Sequence, residues 1–426
     1  MARRQIAWQM AQSLWRVGKN VRVVGKHGTQ YMLGDRPSHA IVLRRLFEDL
    51  GATYIKIGQF IASAPSVFPV EFVTAFQDCL DKTPPVDFTI IRKVIEAELG
   101  GPWQNHFARI EVVPLACASI AQVHRATTHD GRQVVVKVQK PGVENIIRTD
   151  LFLVQSATEI LEFVMPHFKM MSLAAITSEI KKGMEQECDF LAELRNLIQF
   201  REFLKAKAIT SVTAPEPLSH LCSRRLLTME HLDGVAFTNL EEAARYCQDP
   251  EQLLIDAMNA WFGTLLEGRP FHADVHAGNL LILKDGRVAF IDFGIVGRVR
   301  RQTWNAAQNL MHGLMSHDYQ LLAQSLCQIG MTEASIDVGA LSQDLEQLMT
   351  GSANNDSLDR MVIDLAQTAK RYDIHFPREF ALLLKQLLYF DRYIQLISPE
   401  SGFYDDERLI DLTFAPGLEL EPVGSQ

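Results

Sequence analysis

The sequence FHADVHAGN at residues 271–279, followed by DFG at residues 292–294, decides how this chain folds and what chemistry it can carry. Asp274 precedes Asn279 by five residues, and a hydrophobic hairpin pattern separates Asn279 from Asp292. This order and spacing is typical of the catalytic half of a kinase-type phosphoryl-transfer site. We expect Asp274 to act as the base or to orient the nucleophile, and Asn279 and Asp292 to hold magnesium. The Asp274–Asn279 spacing or the DFG motif alone is weak evidence. Because the two are separated by the length of a hairpin, we favour a phosphoryl-transfer site over a chance match.

The same stretch raises the alternative of a zinc site, because His272 and His276 have the HxxxH spacing of a ligand pair. The spacing falls in a predicted loop, and the sequence nearby has no third His or Cys at ligand spacing. We therefore favour the interpretation that His272 braces the loop, as the histidine of the H-R-D motif does in kinases.

The composition limits the class of protein. The chain has 426 residues, of which 47% are hydrophobic, so it can bury a large core and form two lobes or more. The net charge of −9 argues against nucleic acid as a partner, since the chain as a whole does not attract polyanions. Six cysteines without a CxxC pair fit buried thiols in a reducing compartment.

The most apolar stretches, Leu151–Phe168 and Phe380–Phe390, are too short or too charged to span a membrane. Glu159 and Lys385 interrupt them, and we interpret both stretches as buried amphipathic helices. Because the N-terminus also lacks the uninterrupted apolar core of a signal peptide, we expect a cytoplasmic protein with no transmembrane segment.

A strand-rich region precedes the catalytic stretch. Residues 109–139 predict three strands, and the turn sequence His129–Arg132 predicts a hairpin between the last two. The last strand contains Val-Val-Val-Lys ending at Lys137, which matches the kinase lysine that pairs the α- and β-phosphates of the nucleotide. A lysine in a valine-rich strand is unfavourable unless it meets an anion, so we expect a phosphate or carboxylate partner. The alternative is an edge lysine that points to water.

The loop that would cover the phosphates is unusual. Kinases carry GxGxxGxV in this hairpin, whereas residues 116–123 read ACASIAQV, with alanine at every glycine position. Each methyl group restricts the backbone, so we expect a stiffer loop. The candidate nucleotide-contacting residues of the loop are Ala116, Cys117, Ala118, Ser119, Ala121 and Val123. The sequence contains no Walker motif and no GxGxxG, which excludes P-loop and Rossmann interpretations.

Two lysines and two glutamates form a second pattern. Residues 172–207 predict one long helix, on which Glu187 and Glu193 lie about 120° apart if the helix is unbroken. They cannot easily serve one lysine together, so we expect two cationic partners, Lys137 and Lys56. Lys56 begins the sequence KIGQ inside an apolar helical pattern, where a glycine costs about 1 kcal/mol. That cost suggests that the glycine allows another group to come close to the helix backbone. The alternative is that it only permits a tight crossing with another helix.

The segment Arg225–Gly234 predicts a buried strand that runs into a linker. In a kinase this segment is the hinge, and we expect Met229, the Glu230 carbonyl and the Leu232 amide to contact adenine. After residues 292–294 a helix begins near Arg301, with no Ala-Pro-Glu and no room for a phosphorylatable activation segment. This argues against an ordinary protein kinase.

With KIGQ, the alanine loop, ECD at residues 187–189 and DFG in this order, the sequence resembles the UbiB family, also called AarF or coenzyme Q kinase-like. The match spans about Ala40 to Gly297. The resemblance implies an α+β, bilobal protein-kinase-like fold with a helical N-terminal extension that covers the entrance for a peptide, and a mostly helical C-lobe. It also implies that Lys56 pairs with Glu187, that Lys137 pairs with Glu193, and that Gln59 and Asp189 belong to the regulatory extension.

The sequence and the resemblance together predict five segments. They are a basic amphipathic segment (1–34), the KxGQ extension (35–108), the N-lobe with inserted helices (109–232), the C-lobe with the catalytic loop and DFG (233–400) and an acidic tail (401–426). The first segment has six basic residues and no acid. Its apolar residues Ile6, Met10, Leu14 and Val17 recur at helical spacing, with Trp8 and Trp15 beside them. It is suited to lie on an anionic membrane surface, and equally to pack on the body with a solvated basic face. The tail holds six acids and one base and is expected to be partly disordered.

The resemblance further implies ATP or ADP with Mg²⁺ as cofactors, and a role in ubiquinone or other isoprenoid-quinone lipid metabolism. Its expected partners are a quinone precursor lipid, an anionic membrane surface on the inner face and quinone-biosynthesis proteins. Three departures stand out: Cys117 in the alanine loop, Asp-Val-His-Ala-Gly-Asn in place of Asp-Pro-His-Pro-Gly-Asn, and Ala64-Pro65-Ser66 in place of Arg-Pro-Asp. The alternatives are a soluble small-molecule kinase of aminoglycoside or choline type and a nucleotide-gated lipid-binding chaperone.

Overall fold

The computed structural model describes residues 16–27, 29, 38–62, 68, 70–77, 84–164, 173–330, 336–351, 358–398 and 408–409. The start of the basic N-terminal segment and nearly all of the acidic tail therefore lie outside the described residues. The chain divides into two compact units. The first unit comprises Met1–Arg201, Ala214–Asp233 and Ile291–Ile295, and the second comprises Glu202–Thr213, Gly234–Phe290 and Val296–Gln426. The five expected segment boundaries stay a prediction.

The first unit is built on an antiparallel sheet. Its strands are β1 (Phe107–Ile110), β2 (Ala116–Cys117), β3 (Ala121–Thr128), β4 (Gln133–Gln139) and β6 (Leu226–Glu230). Strand β3 pairs with β1 and β2 on one side and with β4 on the other, and β4 pairs with β6. The predicted hairpin between β3 and β4 is confirmed, with Gly131 at a φ of +84° in its turn.

The prediction of three strands between residues 109 and 139 is wrong, since the structure has four there. Strand β1 ends at Ile110, and Val112 and Val113 are exposed. Backbone pairing with β3 resumes where the Leu115 amide donates to the Val123 carbonyl at 2.7 Å. Pro114 explains the interruption, because proline has no amide hydrogen to donate to the strand ladder.

The two faces of this sheet differ. Val134, Val136 and Val138 of β4 are buried in one cluster with helix α5 (Phe88–Leu99), which begins at the N-cap Asp87. Since successive residues of a strand point to opposite faces, Lys137 lies on the other face. The valines of β4 thus pack in the core with α5, and Lys137 points away from that core.

The remaining helices of the first unit, except the last, contribute to a second hydrophobic cluster. Their described bounds are α1 (residues 16–27), α2 (His39–Leu50), α3 (Ala52–Ala62), α4 (Val70–Gln77), α6 (Val143–Val164), α7 (Leu173–Glu187) and α8 (Phe190–Ala206). Ile55 and Ile57 of α3 pack with Ile147 of α6 and Ile180 of α7 in this cluster.

The predicted single helix over residues 172–207 is also wrong. The chain forms α7 and α8, with a break at Cys188 and Asp189. The Asp189 carboxylate accepts hydrogen bonds from the backbone amides of Leu191 and Ala192, at 3.1 and 3.4 Å. An aspartate that caps a helix start satisfies amides that a continuous helix would use internally, so a new helix begins here.

A buried polar cluster fixes α1 to the rest of this unit. The Arg16 guanidinium donates to Asp150 of α6 at 2.8 Å and to the Leu50 carbonyl at 2.8 Å. Asn20 donates to the same carboxylate at 3.0 Å and to the Tyr54 hydroxyl at 3.1 Å. The described part of the basic N-terminal segment therefore packs on the body of the protein.

The second unit has two small sheets and a set of helices. Strands β5 (Val212–Thr213), β10 (Val288–Phe290), β9 (Leu280–Leu283) and β7 (Gly234–Ala236) pair in that order, and β8 (Phe271–His272) pairs with β11 (Val296–Gly297). Helix α10 (Pro250–Leu266) is largely buried and contacts β8, β10 and α15 (Arg378–Ile397). The other helices are α9 (Leu240–Ala243), α11 (Arg301–Met315), α12 (Tyr319–Ile329), α13 (Val338–Gly351) and α14 (Leu358–Arg371).

The predicted helices near Leu253 and Arg301 are confirmed. The segment Phe380–Phe390, predicted as a buried amphipathic helix, lies within α15, whose buried residues include Phe380, Leu383 and Phe390. Of the helices whose residues are described, none combines the length and the apolar composition needed to cross a membrane.

We predict that Arg16→Met destabilises the first unit by roughly 3–5 kcal/mol, because it leaves the buried Asp150 carboxylate without its cation. The measurement is the denaturant midpoint of the full chain, followed by circular dichroism. Arg22→Met, on the exposed side of the same helix, is the matched control and should unfold like the wild type. Equal midpoints for the two variants would contradict the assignment of Arg16 as the anchor of α1.

Candidate functional site

Four of the predicted nucleotide-contacting residues share one face of the first sheet. Strand pairing places Lys137 opposite Val123 and Leu227, and Val123 opposite Ala116. Met229 lies two residues from Leu227 and so points to the same side. The face that carries Ala116, Val123, Lys137 and Met229 is the one opposite the α5 core.

Lys137 is at the centre of a three-residue ion cluster. Its ammonium nitrogen lies 2.8 and 2.9 Å from the two carboxylate oxygens of Glu193, and 3.1 Å from Oδ1 of Asp292. The side chains of Lys137 and Glu193 are 12% and 4% exposed, whereas that of Asp292 is 46% exposed. The anionic partner expected for a lysine in this strand is therefore present twice, and one of the two carboxylates remains open to solvent.

The electrostatics of this cluster favour the charged lysine. Burial alone would lower the pKa of Lys137, but the carboxylates of Asp292 and Glu193 outweigh it and raise the pKa above its ordinary value. Burial raises the pKa of Glu193 to about 7, against the opposing effect of Lys137 and with the added repulsion of Asp292. Two carboxylates around one ammonium leave an excess of negative charge, which a divalent cation would neutralise.

Helix α8 positions the Asp-Phe-Gly turn. Asn196 donates from its amide nitrogen to the Phe293 carbonyl at 3.1 Å, and the Phe200 ring lies 5.1 Å from the Phe293 ring. Glu193, Asn196 and Phe200 have the i, i+3, i+7 spacing that places them on one face of a helix. Asn196 and Phe200 were not predicted from the sequence as site residues, although their helical spacing from Glu193 is a signal that points to them.

The backbone of the turn is specialised as well. Asp292 has a φ of +62°, in the left-handed region that aspartate tolerates better than most residues. The Gly294 amide donates to the Asp292 carboxylate at 3.2 Å. A methyl group on Gly294 would lie 3.1 Å from that carboxylate, so a side chain here would crowd Asp292.

The alanine loop is a tight hairpin whose tip is anchored. The Ala118 amide donates to the Ala121 carbonyl at 2.9 Å, and Ser119 and Ile120 are buried. Ile120 belongs to the same hydrophobic cluster as Ile57 of the KIGQ helix α3. This anchoring agrees in direction with the stiff loop expected from alanine in place of glycine.

A buried hydrogen-bond chain supports the start of this hairpin. The Gln122 side chain accepts from the Val86 amide at 2.8 Å and donates to the Val86 carbonyl at 3.1 Å. Gln122 also contacts His124, and His124 donates through Nδ1 to the Glu111 carbonyl at 2.7 Å. The loop is thus tied to the segment that precedes α5.

The two predicted lysine–glutamate pairs are both present. Lys56 of α3 lies 3.0 Å from Glu187 at the end of α7, with both side chains largely buried. Lys137 pairs with Glu193 of α8, as described above. Glu187 and Glu193 pair with different lysines because they lie on separate helices. The sequence had suggested a different reason, namely their rotation around a single helix. Asp189 caps α8 at the break, and Gln59 is half-buried on α3.

The hinge candidates occupy the end of β6. Met229 is buried, Glu230 is the last residue of the strand, and Leu232 follows it, half-buried. The Glu230 carboxylate accepts from the Glu216 amide at 3.1 Å, on the side away from Lys137. Contact of Glu230 and Leu232 with adenine stays a prediction.

In the second unit, the loop between β8 and β9 carries Asp274 and Asn279. Asn279 donates from its amide nitrogen to the Asp274 carbonyl at 3.0 Å, which closes the loop. The Asp274 amide donates to Nδ1 of buried His272 at 3.2 Å, so this histidine braces the loop. Oδ1 of Asp274 lies 2.9 Å from the ammonium of Lys385, and Oδ2 lies 3.6 Å from Nε2 of His276.

Helix α15 holds the backbone of this loop on both sides of Asp274. The buried Gln386 accepts from the Val275 amide at 2.8 Å and donates to the Ala273 carbonyl at 2.8 Å. The Tyr393 hydroxyl donates to the Val275 carbonyl at 2.7 Å. Gln386 and Tyr393 were not predicted from the sequence as site residues. The available signal was that Lys385 and Gln386 lie side by side in an otherwise apolar stretch.

The donor set fits magnesium that is completed by a nucleotide. Within the described ranges, no group of three or more His, Cys, Asp and Glu side chains is arranged to hold a metal ion by itself. Mg²⁺ in kinase sites is held by one or two protein groups together with phosphate oxygens and water. The open carboxylate of Asp292 is a group of that kind, and the excess negative charge around Lys137 favours a cation.

Comparison with known proteins agrees with this geometry and defines the class. A model of the ABC1 atypical kinase-like domain matches residues 78–326. A Mycobacterium tuberculosis protein solved in complex with erythromycin superposes with a TM-score of 0.53 at 22% identity, over 82% of this chain and 89% of that one. The predicted α+β protein-kinase-like fold is therefore confirmed.

Relatives extend the match over most of the chain. An uncharacterised chloroplastic aarF domain-containing protein kinase of Arabidopsis thaliana is 42% identical over 87% of this chain and 74% of its own length. A probable protein kinase UbiB of Shewanella loihica is 28% identical over 84% of this chain and 66% of its own length. The chain belongs to the ABC1 atypical kinase-like family, and the predicted relationship to UbiB and AarF proteins is confirmed.

We predict that Gln386→Met lowers the free energy of unfolding by roughly 1–3 kcal/mol, because it leaves the buried Val275 amide and Ala273 carbonyl without their partner. Deuterium uptake by a peptide that covers residues 271–279 should rise in this variant. Gln324→Met, exposed on α12, is the matched control. Unchanged uptake in residues 271–279 would show that α15 does not hold the loop.

Proposed function

We propose that this chain binds Mg²⁺-ATP and acts as a UbiB-type atypical kinase or ATPase, in support of isoprenoid-quinone or other lipid metabolism at a membrane surface. The observation that carries the proposal is the ion cluster in which Lys137 meets both Glu193 and Asp292. A lysine aligned by a helix glutamate, beside the aspartate of an Asp-Phe-Gly turn, is the arrangement that phosphoryl transfer from ATP requires.

The first unit supplies the nucleotide contacts in this proposal. Lys137 binds the α- and β-phosphates, because its ammonium is held charged and oriented by Glu193. The alanine hairpin lies on the same face of the sheet and contacts the phosphates through its backbone. Met229, the Glu230 carbonyl and the Leu232 amide hold the adenine.

The groups that act on the transferred phosphate come from two loops. Asp292 of the first unit and Asn279 of the second are the residues that would hold Mg²⁺, and the ion would supply charge neutralisation at the phosphate oxygens. Asp274 accepts the proton of the attacking hydroxyl or water. His272, Gln386 and Tyr393 keep the loop of Asp274 in one conformation by their hydrogen bonds to its backbone.

The elements around the site favour a non-peptide acceptor. Helix α11 begins at Arg301, seven residues after Gly294, which leaves no length for the activation segment on which protein kinases bind peptides. The KIGQ helix is held by the Lys56–Glu187 pair and shares a hydrophobic cluster with the alanine loop. These features support the UbiB-type proposal over a soluble kinase of aminoglycoside or choline type.

We predict that the purified full chain hydrolyses ATP in the presence of Mg²⁺, and that Lys137→Ala and Asp292→Asn each lower kcat by about 10²-fold or more, since each removes charge stabilisation of the transferred group. The measurement is phosphate release under saturating ATP. Lys93→Ala, exposed on α5, is the control and should retain wild-type turnover. Turnover that survives both site substitutions would overturn the proposal.

The same assay tests the lipid part of the proposal. Anionic vesicles that carry a polyprenyl phenol should raise the rate of phosphate release above that with neutral vesicles. Phosphate found instead on a water-soluble alcohol, with no response to vesicles, would favour the soluble-kinase alternative. Binding of the lipid without hydrolysis would favour the nucleotide-gated chaperone.

A further inference from the structure

The loop of Asp274 receives a cation from a distant part of the chain. Lys385 lies on α15, 111 residues after Asp274, and its ammonium nitrogen is 2.9 Å from Oδ1 of the aspartate. Both side chains are largely buried, at 23% and 20% exposure. A largely buried ammonium is unfavourable unless it is paired with an anion. The Asp274 carboxylate is that anion for Lys385.

Lys385 is itself held in place. Its ammonium lies 5.6 Å from the ring centroid of Tyr389, one helical turn further along α15. The next residue, Gln386, fixes the backbone on either side of Asp274 through the Val275 amide and the Ala273 carbonyl. Neighbouring residues of one helix thus fix both the backbone and the carboxylate of Asp274.

We propose that Lys385 is a positioning residue for Asp274, an inference that rests on the phosphoryl-transfer function proposed above. Lys385 orients the Asp274 carboxylate toward the nucleophile and places a positive charge beside it. Nε2 of His276 lies 3.6 Å from the other oxygen, Oδ2, so each carboxylate oxygen of Asp274 has a neighbouring side chain.

In the step that Asp274 serves, the oxygen of the acceptor hydroxyl or water forms a bond to the γ-phosphorus. The bond between that phosphorus and the bridging oxygen of ADP breaks, and ADP leaves with its electron pair. The acceptor proton passes to the Asp274 carboxylate. Lys385 keeps its protons throughout and acts only through its contact with Asp274.

A purely structural ion pair is the alternative, and the split between kcat and KM separates the two. If Lys385 positions Asp274, Lys385→Met should lower kcat by about 10²-fold while KM for ATP changes little, because general-base catalysis contributes 10²–10⁴-fold. Lys385→Arg should recover much of this loss, since it restores a donor cation to the carboxylate. Lys370→Met, exposed on α14, should match the wild type.

The effect must also depend on Asp274. In the Asp274→Asn background, Lys385→Met should cause little further loss of kcat, because residues that act as a unit are not additive. Thermal melting of each variant shows whether it is folded, and Lys385→Gln replaces Lys385→Met if the latter unfolds.

The outcomes separate the inference from the function on which it rests. If the wild type does not hydrolyse ATP, the proposed function fails. If Asp274→Asn turns over ATP like the wild type, the role of Asp274 fails and that of Lys385 fails with it. If Asp274→Asn is inactive but folded Lys385→Met keeps wild-type kcat, only the inference is overturned. An equal loss from Lys385→Met with and without Asp274, or no recovery by Lys385→Arg, overturns it as well.

Discussion

The structure of the first unit depends on one buried ammonium. Lys137 neutralises Glu193, which is almost fully enclosed, and it restrains Asp292, which is half-exposed. Without the lysine, the enclosed carboxylate of Glu193 would lie beside that of Asp292 with no cation between them, which is unfavourable. Strand β4, helix α8 and the Asp-Phe-Gly turn are therefore placed by the same charge. Asn196 and Phe200 of helix α8 also contact Phe293 in this turn. A substitution at either position should therefore change the conformation of Asp292.

In the second unit, hydrogen bonds from two helices hold the loop of Asp274 in place. The loop of Asp274 has little secondary structure, and its shape comes from hydrogen bonds to side chains that arrive from α10 and α15. Trp261 donates to the His272 carbonyl at 2.8 Å, while Gln386 and Tyr393 bind the backbone around Val275. A helix near the end of the described chain thus determines the conformation of a loop about a hundred residues earlier, and it adds the charge of Lys385 to that loop.

The sequence predicted the parts of the structure that are encoded locally. The β3–β4 hairpin, the lysine in β4 and the hinge strand follow from turn residues, alternation and motif spacing, which are short-range signals. The helix break at Asp189 was missed, because one capping hydrogen-bond pattern outweighs a periodicity that continues through it. Lys385 and Gln386 were missed as site residues because their partners lie 111 residues away or more, and single-sequence patterns contain no such contacts.

In the proposed function, Mg²⁺ and a nucleotide complete the charge cluster around Lys137. Isothermal titration of ATP into the full chain, with Mg²⁺ and again with the metal removed by EDTA, tests whether they do. We expect saturable binding at one site per chain that becomes markedly weaker without Mg²⁺. The absence of binding, or an affinity for ATP that does not depend on Mg²⁺, would contradict it.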